Sequence, residues 1–388
     1  MSESLCIAFY TDTFLPATDG VVTSILNFRR ELMRRGNDVY VFASGDSSTQ
    51  KIAMGQKNVF VARGMRFKNY PQYNVALFPF LSALKLRNVK VDLLHAQTPF
   101  TMGFYALLQS KINKTPIVGS FHTMFTDRMV LSEYIKDARL RKIASKYSWN
   151  YAKFFYGRCN GVIAPSDAIV ALLEKKGIAN VYTVPSSVDM KKFNSRVSGG
   201  RIRRQILRGK KGKIVMYIGR LSREKRLDTL IKAARALKGK EITFAIGGTG
   251  PASSYYHDMV KRMHLGDRVK FLGFIDGKLL PQHYAACDAF CIPSTFETQG
   301  MVSIEAMASG KPVVGADYLA LRDLIKDGYN GEKFVPNDFY SCARKIEKVL
   351  YNVDSYKGMV DTAKRYSVEK TTDELLRTYK DVMDNAVF

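Results

Sequence analysis

Residues 5–44 read LCIAFYTDTFLPATDGVVTSILNFRRELMRRGNDVYVFAS. The apolar run LCIAFY (5–10) is strand-like. VVTSILNFRRELMRRG (21–36) has apolar residues at helical spacing and a glycine stop, and VYVFAS (39–44) is again β-branched and aromatic. Strand, helix, strand in that order is a βαβ unit, which predicts a parallel sheet with helices on its faces. The alternation continues through VDLLHA (91–96), a helical segment near 101–112 and PIVGSF (116–121). It restarts after a basic stretch at 191–213, with KIVMYIG, LDTLIKAARALKG, EITFAIGG, a helix near 254–264 and VKFLGF.

Two consecutive α/β halves follow, and 388 residues agree with two domains at roughly 100–200 residues each. Residues 1–190 are expected to form one and 191–369 the other, facing a cleft. A C-terminal helix of about 370–388 is expected to pack back on the first. With 46% hydrophobic and 24% charged residues, disordered, collagen-like and fibrous classes are excluded. No apolar run reaches the ~18 residues of a membrane-spanning helix, and the N-terminus lacks the pattern of a signal peptide. A cytoplasmic or peripheral protein is expected. Cys287 and Cys291, with His283 nearby, sit in HYAACDAFCIPS, which reads as a buried helix end running into a strand; cysteine there is a small core residue rather than a metal ligand.

Charge is the strongest compositional signal: 60 lysines and arginines against 35 acids leave a net charge of +25. The excess is +11 in residues 1–190 and +14 in 191–388, so both halves are basic throughout. Such a surplus attracts phosphates, nucleic acids or anionic membranes. Between Asp46 and Asp92 no acid occurs, and Arg63, Arg66, Lys68, Lys85 and Arg87 flank Tyr70, Tyr73, Phe78 and Phe80. A second acid-free stretch runs from Arg139 through Trp149, Phe154 and Phe155 to Arg158, and a third from Lys191 to Lys213.

In doubly wound sheets ligands bind beyond the carboxyl ends of the strands, where helix N-termini present amides to anions. After the first strand, Gly20 opens a helix; it either leaves room for a phosphate or serves a turn. The fingerprint G-x-G-x-x-G is absent there, which disfavours a dinucleotide-binding oxidoreductase. In the second half, YIGRLSREK places Gly219, Arg220 and Lys225 at a strand-to-helix junction, as a diphosphate clamp or a solvated basic loop. AIGGTGP sets Gly247, Gly248 and Gly250 after another strand, where a ligand can approach the backbone closely. In CIPSTFETQGMVSIEAMASGKPVVG, Glu297 lies on a strand-to-helix connection and Glu305 inside a helix starting near Gly300. Were all eight residues helical, 100° each would leave the carboxylates about 80° apart, so they touch different parts of a ligand or compensate the helix dipole.

These segments, together with FYTDTFLPATDGVVTSI, GSFHTMFTD (119–127), RCNGVIAPS (158–166) and PSSVDMKKF (185–193), resemble the retaining family 4 glycosyltransferases of GT-B fold. Within that family they are similar to the 1,2-diacylglycerol 3-glucosyltransferase type of glycolipid synthase. ETQGMVSIEAMASGKPVV (297–314) corresponds to the family's E-x7-E motif. The resemblance implies two Rossmann-like domains. Gly20 would lend its amide to the donor diphosphate, and Arg220 and Lys225, beside Gly219, would stabilise the leaving nucleoside diphosphate. Glu305 would hold the ribose hydroxyls, while Glu297 and the segment Thr298, Gln299, Gly300 and Met301 would contact the sugar, with Gly250 also on the donor side. His122 would lie on the acceptor side near the sugar, with Asp127 as an acceptor contact. Ser186 and Ser187 depart from the family's usual Asn-Gly or Thr-Gly, and Arg128 from its usual aromatic residue.

The implied reaction moves a hexose from a nucleotide sugar, UDP-glucose first, to a membrane lipid such as diacylglycerol, with no cofactor. GDP-mannose as donor, or a soluble sugar or polyol as acceptor, is the alternative. No D-x-D occurs in the chain, so a metal clamp of that type is not expected. No nucleic-acid recognition motif accompanies the charge. A lipid acceptor would account for the basic, aromatic stretches as an anionic-membrane surface on the inner face of the cell membrane. The alternative for residues 139–158 is mainly a core helix with inward aromatics.

Overall fold

The computed structural model describes residues 4–17, 19–67, 70–76, 89–127, 131, 135 and 137–386. It divides into two compact units, the first made of residues up to Ser187 and from Val368 onward, the second of Val188–Ser367.

In the first unit the strands β1 (Cys6–Thr11), β2 (Asp38–Gly45), β3 (Val59–Phe67), β4 (Tyr70–Ala76), β5 (Leu93–Ala96), β6 (Ile117–Ser120), β7 (Gly161–Ala164) and β8 (Val181–Thr183) form one 8-stranded sheet. Its order is β4-β3-β2-β1-β5-β6-β7-β8, parallel except for the antiparallel β3–β4 pair at one edge. Strands β5, β6 and β7 are buried at every residue, as strands covered on both faces must be. The helix Gly20–Arg34 begins after β1, with Asp19 as N-cap accepting from Val22 N–H at 2.9 Å. The helix Val368–Asp384 packs on it, and Arg35 bonds Glu31 at 2.8 Å and Asp373 at 2.6 Å. Leu375, Tyr379 and Val382 enter the core with Ile7, Phe9 and Ile25.

The second unit has strands β9 (Lys213–Ile218), β10 (Ile242–Gly247), β11 (Val269–Gly273), β12 (Ala289–Ile292), β13 (Val313–Ala316) and β14 (Gly331–Phe334), in the order β11-β10-β9-β12-β13-β14 with every pair parallel. The chain winds outward from β9 to one edge and then returns to fill the other side. That puts a topological switch point between β9 and β12, where ligands bind in such sheets. In the first unit the corresponding point lies between β1 and β5. Among the described residues no helix is long and apolar enough to cross a membrane. Cys287 and Cys291 are buried, with Cys287 Sγ against Tyr284 O and Cys291 Sγ 4.0 Å from Cys342 Sγ, which makes them core residues.

Candidate functional site

On the second unit, the loops leaving β9 and β12 bring the sequence's charged motifs together at the switch point. Beyond β9 the chain passes Gly219 and Arg220 into a short turn, Arg223–Lys225, and then the helix Leu227–Ala236. Beyond β12 it passes Glu297, Thr298 and Gln299 to the helix Met301–Ala308. Lys225 Nζ donates to Glu297 Oε1 at 2.7 Å across 72 residues of sequence. Both side chains are mostly buried, so the ion pair is held where water screens it poorly.

Arg220 is steered by its own turn. Its Nη2 lies 3.3 Å from Oε1 of buried Glu224, which also accepts from Ser222 Oγ, and its carbonyl accepts from Tyr217 Oη at 3.1 Å. Burial and the negative charge of Glu297 push the Tyr217 phenol well above its ordinary range, so it remains a neutral hydroxyl.

Gly300 closes the β12 loop in the left-handed region, φ +83°, and a Cβ there would stand 2.8 Å from Leu321 Cδ2. The N-cap of the helix Met301–Ala308 is Gly300, which has no side chain, and the first turn carries no acid. Its N-terminal amides therefore face the switch point as an anion or hydroxyl site. One turn in, Glu305 is half-buried and accepts from Tyr284 Oη at 2.7 Å. Burial raises its carboxyl to about 7, against the Tyr284 hydrogen bond and the positive charge of Lys192. A half-buried carboxylate with one oxygen anchored is suited to receive hydroxyls.

Gly248 and Gly250 are close-approach glycines, as the sequence suggested, but the approaching atoms belong to the chain. A Cβ at Gly250 would lie 2.4 Å from Leu221 O, and one at Gly248 1.9 Å from Gly219 O. The β10 loop thus packs directly on the loop carrying Arg220, and Gly250 N–H is bonded to Ser253 Oγ at 3.1 Å.

On the first unit, Gly20 is the first residue of its helix, and a Cβ added there would meet nothing within 4 Å. Packing does not require this glycine. His122 follows β6, and its Nε2 lies 2.9 Å from Gln97 Oε1, which follows β5. Burial lowers its pKa to about 4, so it is neutral near pH 7, with Nε2–H the donor to the amide carbonyl. Asp127 ends the same loop, its N–H on Met124 O at 3.1 Å. Arg128 lies outside the described residues, as do Lys68, Phe78, Phe80, Lys85 and Arg87 and the side chains of Arg66, Tyr70 and Tyr73. Ser187 is buried, and its carbonyl accepts from Asn27 Nδ2 at 3.3 Å.

Tyr217, Glu224, Tyr284 and Lys192 were not singled out from sequence. Asp12, at the end of β1, was missed as well. Its carboxylate accepts from Thr98 Oγ1 at 2.6 Å, from Thr101 Oγ1, and from Met102 N–H at 3.0 Å, so it caps the helix Thr101–Asn113 from another strand. Burial raises it to about 6 despite those bonds.

Residues 18–192 match the family model described as Glycosyltransferase Family 4, and residues 200–366 the one described as Glycosyl transferases group 1. The chain belongs to the family 4 glycosyltransferases. This glycosyltransferase is similar to an alpha-monoglucosyldiacylglycerol synthase of Streptococcus pneumoniae, 28% identical over 331 residues, 83% of this chain and 73% of that one. It is also similar to a GDP-mannose-dependent alpha-mannosyltransferase of Corynebacterium glutamicum, 26% identical over 391 residues, covering 97% and 89% of the two chains. Its fold is GT-B. Among solved structures, HepE of Anabaena in complex with UDP and glucose aligns with TM-score 0.75 at 22% identity, over 97% of this glycosyltransferase and 100% of that chain.

Proposed function

We propose that this glycosyltransferase moves a hexose, glucose from UDP-glucose, to a membrane lipid of the diacylglycerol type, with retention at the anomeric carbon and without a metal ion. The observation that carries the reading is the Lys225–Glu297 pair at the switch point of the second unit. A nucleotide sugar has two demands there: cations for a diphosphate that gains charge as its bond to the sugar breaks, and acceptors for sugar hydroxyls. Arg220 and Lys225 meet the first, with Gly219 keeping the turn open. Fixed cations aimed at developing charge lower the barrier without reorganisation. Glu297 and the amides from Thr298 and Gln299 through Gly300 to Met301 take the sugar hydroxyls, and Glu305 takes the ribose. Gly250 acts indirectly, by letting the β10 loop support the Arg220 loop.

On the first unit, Gly20 offers its backbone amide to the diphosphate, beside the Asp19 cap of its helix. Neutral His122 presents a polar ring beside the acceptor, and Asp127 contacts the acceptor hydroxyl. The protein works at an anionic membrane surface on the cytoplasmic side. The lipid acceptor is supported by the name of the streptococcal relative, and the uridine nucleotide by the UDP complex of the Anabaena neighbour. A second reading, GDP-mannose as donor, is favoured by the corynebacterial relative, which aligns over 97% of this chain. Incubation with a panel of UDP- and GDP-sugars and diacylglycerol, scored by mass, tests both. Hexosyl-diacylglycerol from UDP-glucose is expected; product from GDP-mannose alone would select the second, and product only on soluble sugars would overturn the lipid acceptor.

A further inference from the structure

Among the described residues, the first unit carries an exposed apolar face on two neighbouring helices. On the helix Thr101–Asn113, Phe104, Leu108 and Ile112 recur at every fourth position and are exposed. On the helix Ala138–Tyr156, Leu140, Ile143, Tyr147 and Phe154 are exposed, and at 100° per residue they fall within about 60° of arc. The two rows meet. Phe104 packs against Phe154 with ring centroids 6.1 Å apart and against Tyr151 at 5.9 Å. Gly103 allows the approach, since a Cβ there would lie 2.9 Å from Phe155 Cζ. The opposite side of the second helix buries Ser145, Ala152, Phe155 and Tyr156, so inward packing and an outward apolar row share one helix.

Apart from the exposed Asp137 that caps the second helix, the described charges beside the face are positive. Lys111, Lys114, Lys142, Lys146, Lys153 and Arg158 are exposed on or beside the two helices, and neither helix contains an Asp or Glu. Arg158 stacks on Phe154 at 3.7 Å, binding the cationic rim to the apolar row. A second copy of this chain docking through the same face would set these cations against themselves, since a two-fold interface pairs a patch with itself. A surface with an apolar interior under a layer of negative charge meets both requirements.

We propose that this two-helix face is where the protein lies on an anionic lipid bilayer. The aliphatic and aromatic side chains enter the headgroup boundary, and the lysines and arginine meet lipid phosphates. The proposal rests on the lipid-acceptor reading and names the surface that would bring the enzyme to its acceptor. Asp12, by capping the helix Thr101–Asn113, fixes one of the two rows to the end of β1.

The test is co-sedimentation of the full chain with phosphatidylcholine vesicles, with and without phosphatidylglycerol, across a salt series. Wild type is expected to bind the anionic vesicles, to bind neutral ones weakly, and to be released as ionic strength passes about 0.5 M, where screening shortens to a few ångströms. Ile112→Asp with Tyr147→Asp, and separately Lys142→Glu with Lys146→Glu, are expected to weaken anionic-vesicle binding at least about ten-fold with unchanged thermal unfolding. Lys261→Glu with Arg262→Glu, exposed on the second unit, is expected to leave it unchanged. Patch variants that sediment like wild type, or wild type without anionic preference at low salt, would overturn the proposal. So would a concentration-dependent dimer abolished by Ile112→Asp with Tyr147→Asp, which would assign the face to a second copy. Glycolipid synthesis without vesicle preference would overturn this surface and leave the acceptor reading standing; vesicle binding by this face without lipid product from any donor would do the reverse.

Discussion

Lys225 and Glu297 are joined by a 2.7 Å ion pair although they stand on loops from strands β9 and β12. The order β11-β10-β9-β12-β13-β14 makes those strands neighbours and sends their following helices to opposite faces, so their loops converge. The pair keeps a buried ammonium satisfied when no anion is present. On the proposed reading, a donor diphosphate entering the site would compete with Glu297 for that ammonium and free Glu297 for the sugar hydroxyls. Glu297→Gln, which weakens the hold on Lys225 yet still accepts a hydrogen bond, is expected to lower kcat/KM by about ten-fold or more; removal of Lys225 is the harsher change.

Glu305 sets a pH dependence. Its carboxyl is raised from 4.5 to about 7 in the folded protein, so the folded state holds the proton more tightly than the unfolded chain. Its contribution to stability is therefore greatest at low pH, falls between about pH 4.5 and 7, and is flat above. Glu305→Gln removes that slope. Relative to wild type it is expected to gain up to roughly 3 kcal/mol at about pH 8 and nothing at about pH 4, measured by chemical unfolding. If Glu305 holds the ribose as proposed, donor KM of wild type is expected to rise as pH falls below about 7 and the carboxylate is protonated, whereas the variant's KM stays level. Equal pH profiles for both proteins would remove Glu305 from donor binding.

Gly20 and Gly250 are expected to separate binding from folding. A Cβ at Gly20 meets open space, whereas one at Gly250 meets Leu221 O at 2.4 Å and Leu221 N at 2.7 Å. Gly20→Ala is therefore expected to unfold at the wild-type temperature and to raise donor KM or lower kcat. Gly250→Ala is expected to lower the unfolding temperature, by roughly 1–3 kcal/mol of stability for such overpacking. Full activity in Gly20→Ala would reduce Gly20 to a turn residue.

The two α/β halves were legible because their strands are apolar runs and their helices carry apolar faces, from LCIAFY and VVTSILNF onward. That Arg220, Lys225 and Glu297 stand at strand-to-helix junctions was legible for a related reason, and the fold brings Lys225 and Glu297 together. What sequence concealed were hydroxyls inside apolar strands and helices. Tyr217 in KIVMYIG and Tyr284 in HYAAC look like core aromatics, and only the fold shows that their hydroxyls reach Arg220 O and Glu305. Asp12 caps a helix 90 residues away, a relation no local spacing encodes. The β3–β4 hairpin was hidden because its basic residues and the acid-free run drew attention to charge rather than to pairing. At Gly250 the reason for the glycine was read as a ligand, where the fold supplies a neighbouring loop.

Metal chelation and product stereochemistry test the reaction class. The proposed enzyme holds the leaving diphosphate with side-chain cations and amides. EDTA is therefore expected to leave the rate of hexosyl transfer unchanged, and NMR of the glycolipid is expected to show the donor's anomeric configuration. Loss of activity in EDTA that is restored by a divalent ion, or an inverted product, would reject the mechanism.

The central claim is that Lys225 meets charge that grows as the donor bond breaks, and steady-state kinetics of Lys225→Ala test it most directly. A group that acts only on the transition state is read out in kcat, whereas one that binds donor equally throughout is read out in KM. The account predicts that kcat falls by about 10²-fold or more, with donor KM changed far less, for a cation supplying roughly 3 kcal/mol. A wild-type kcat in a folded Lys225→Ala protein would contradict it.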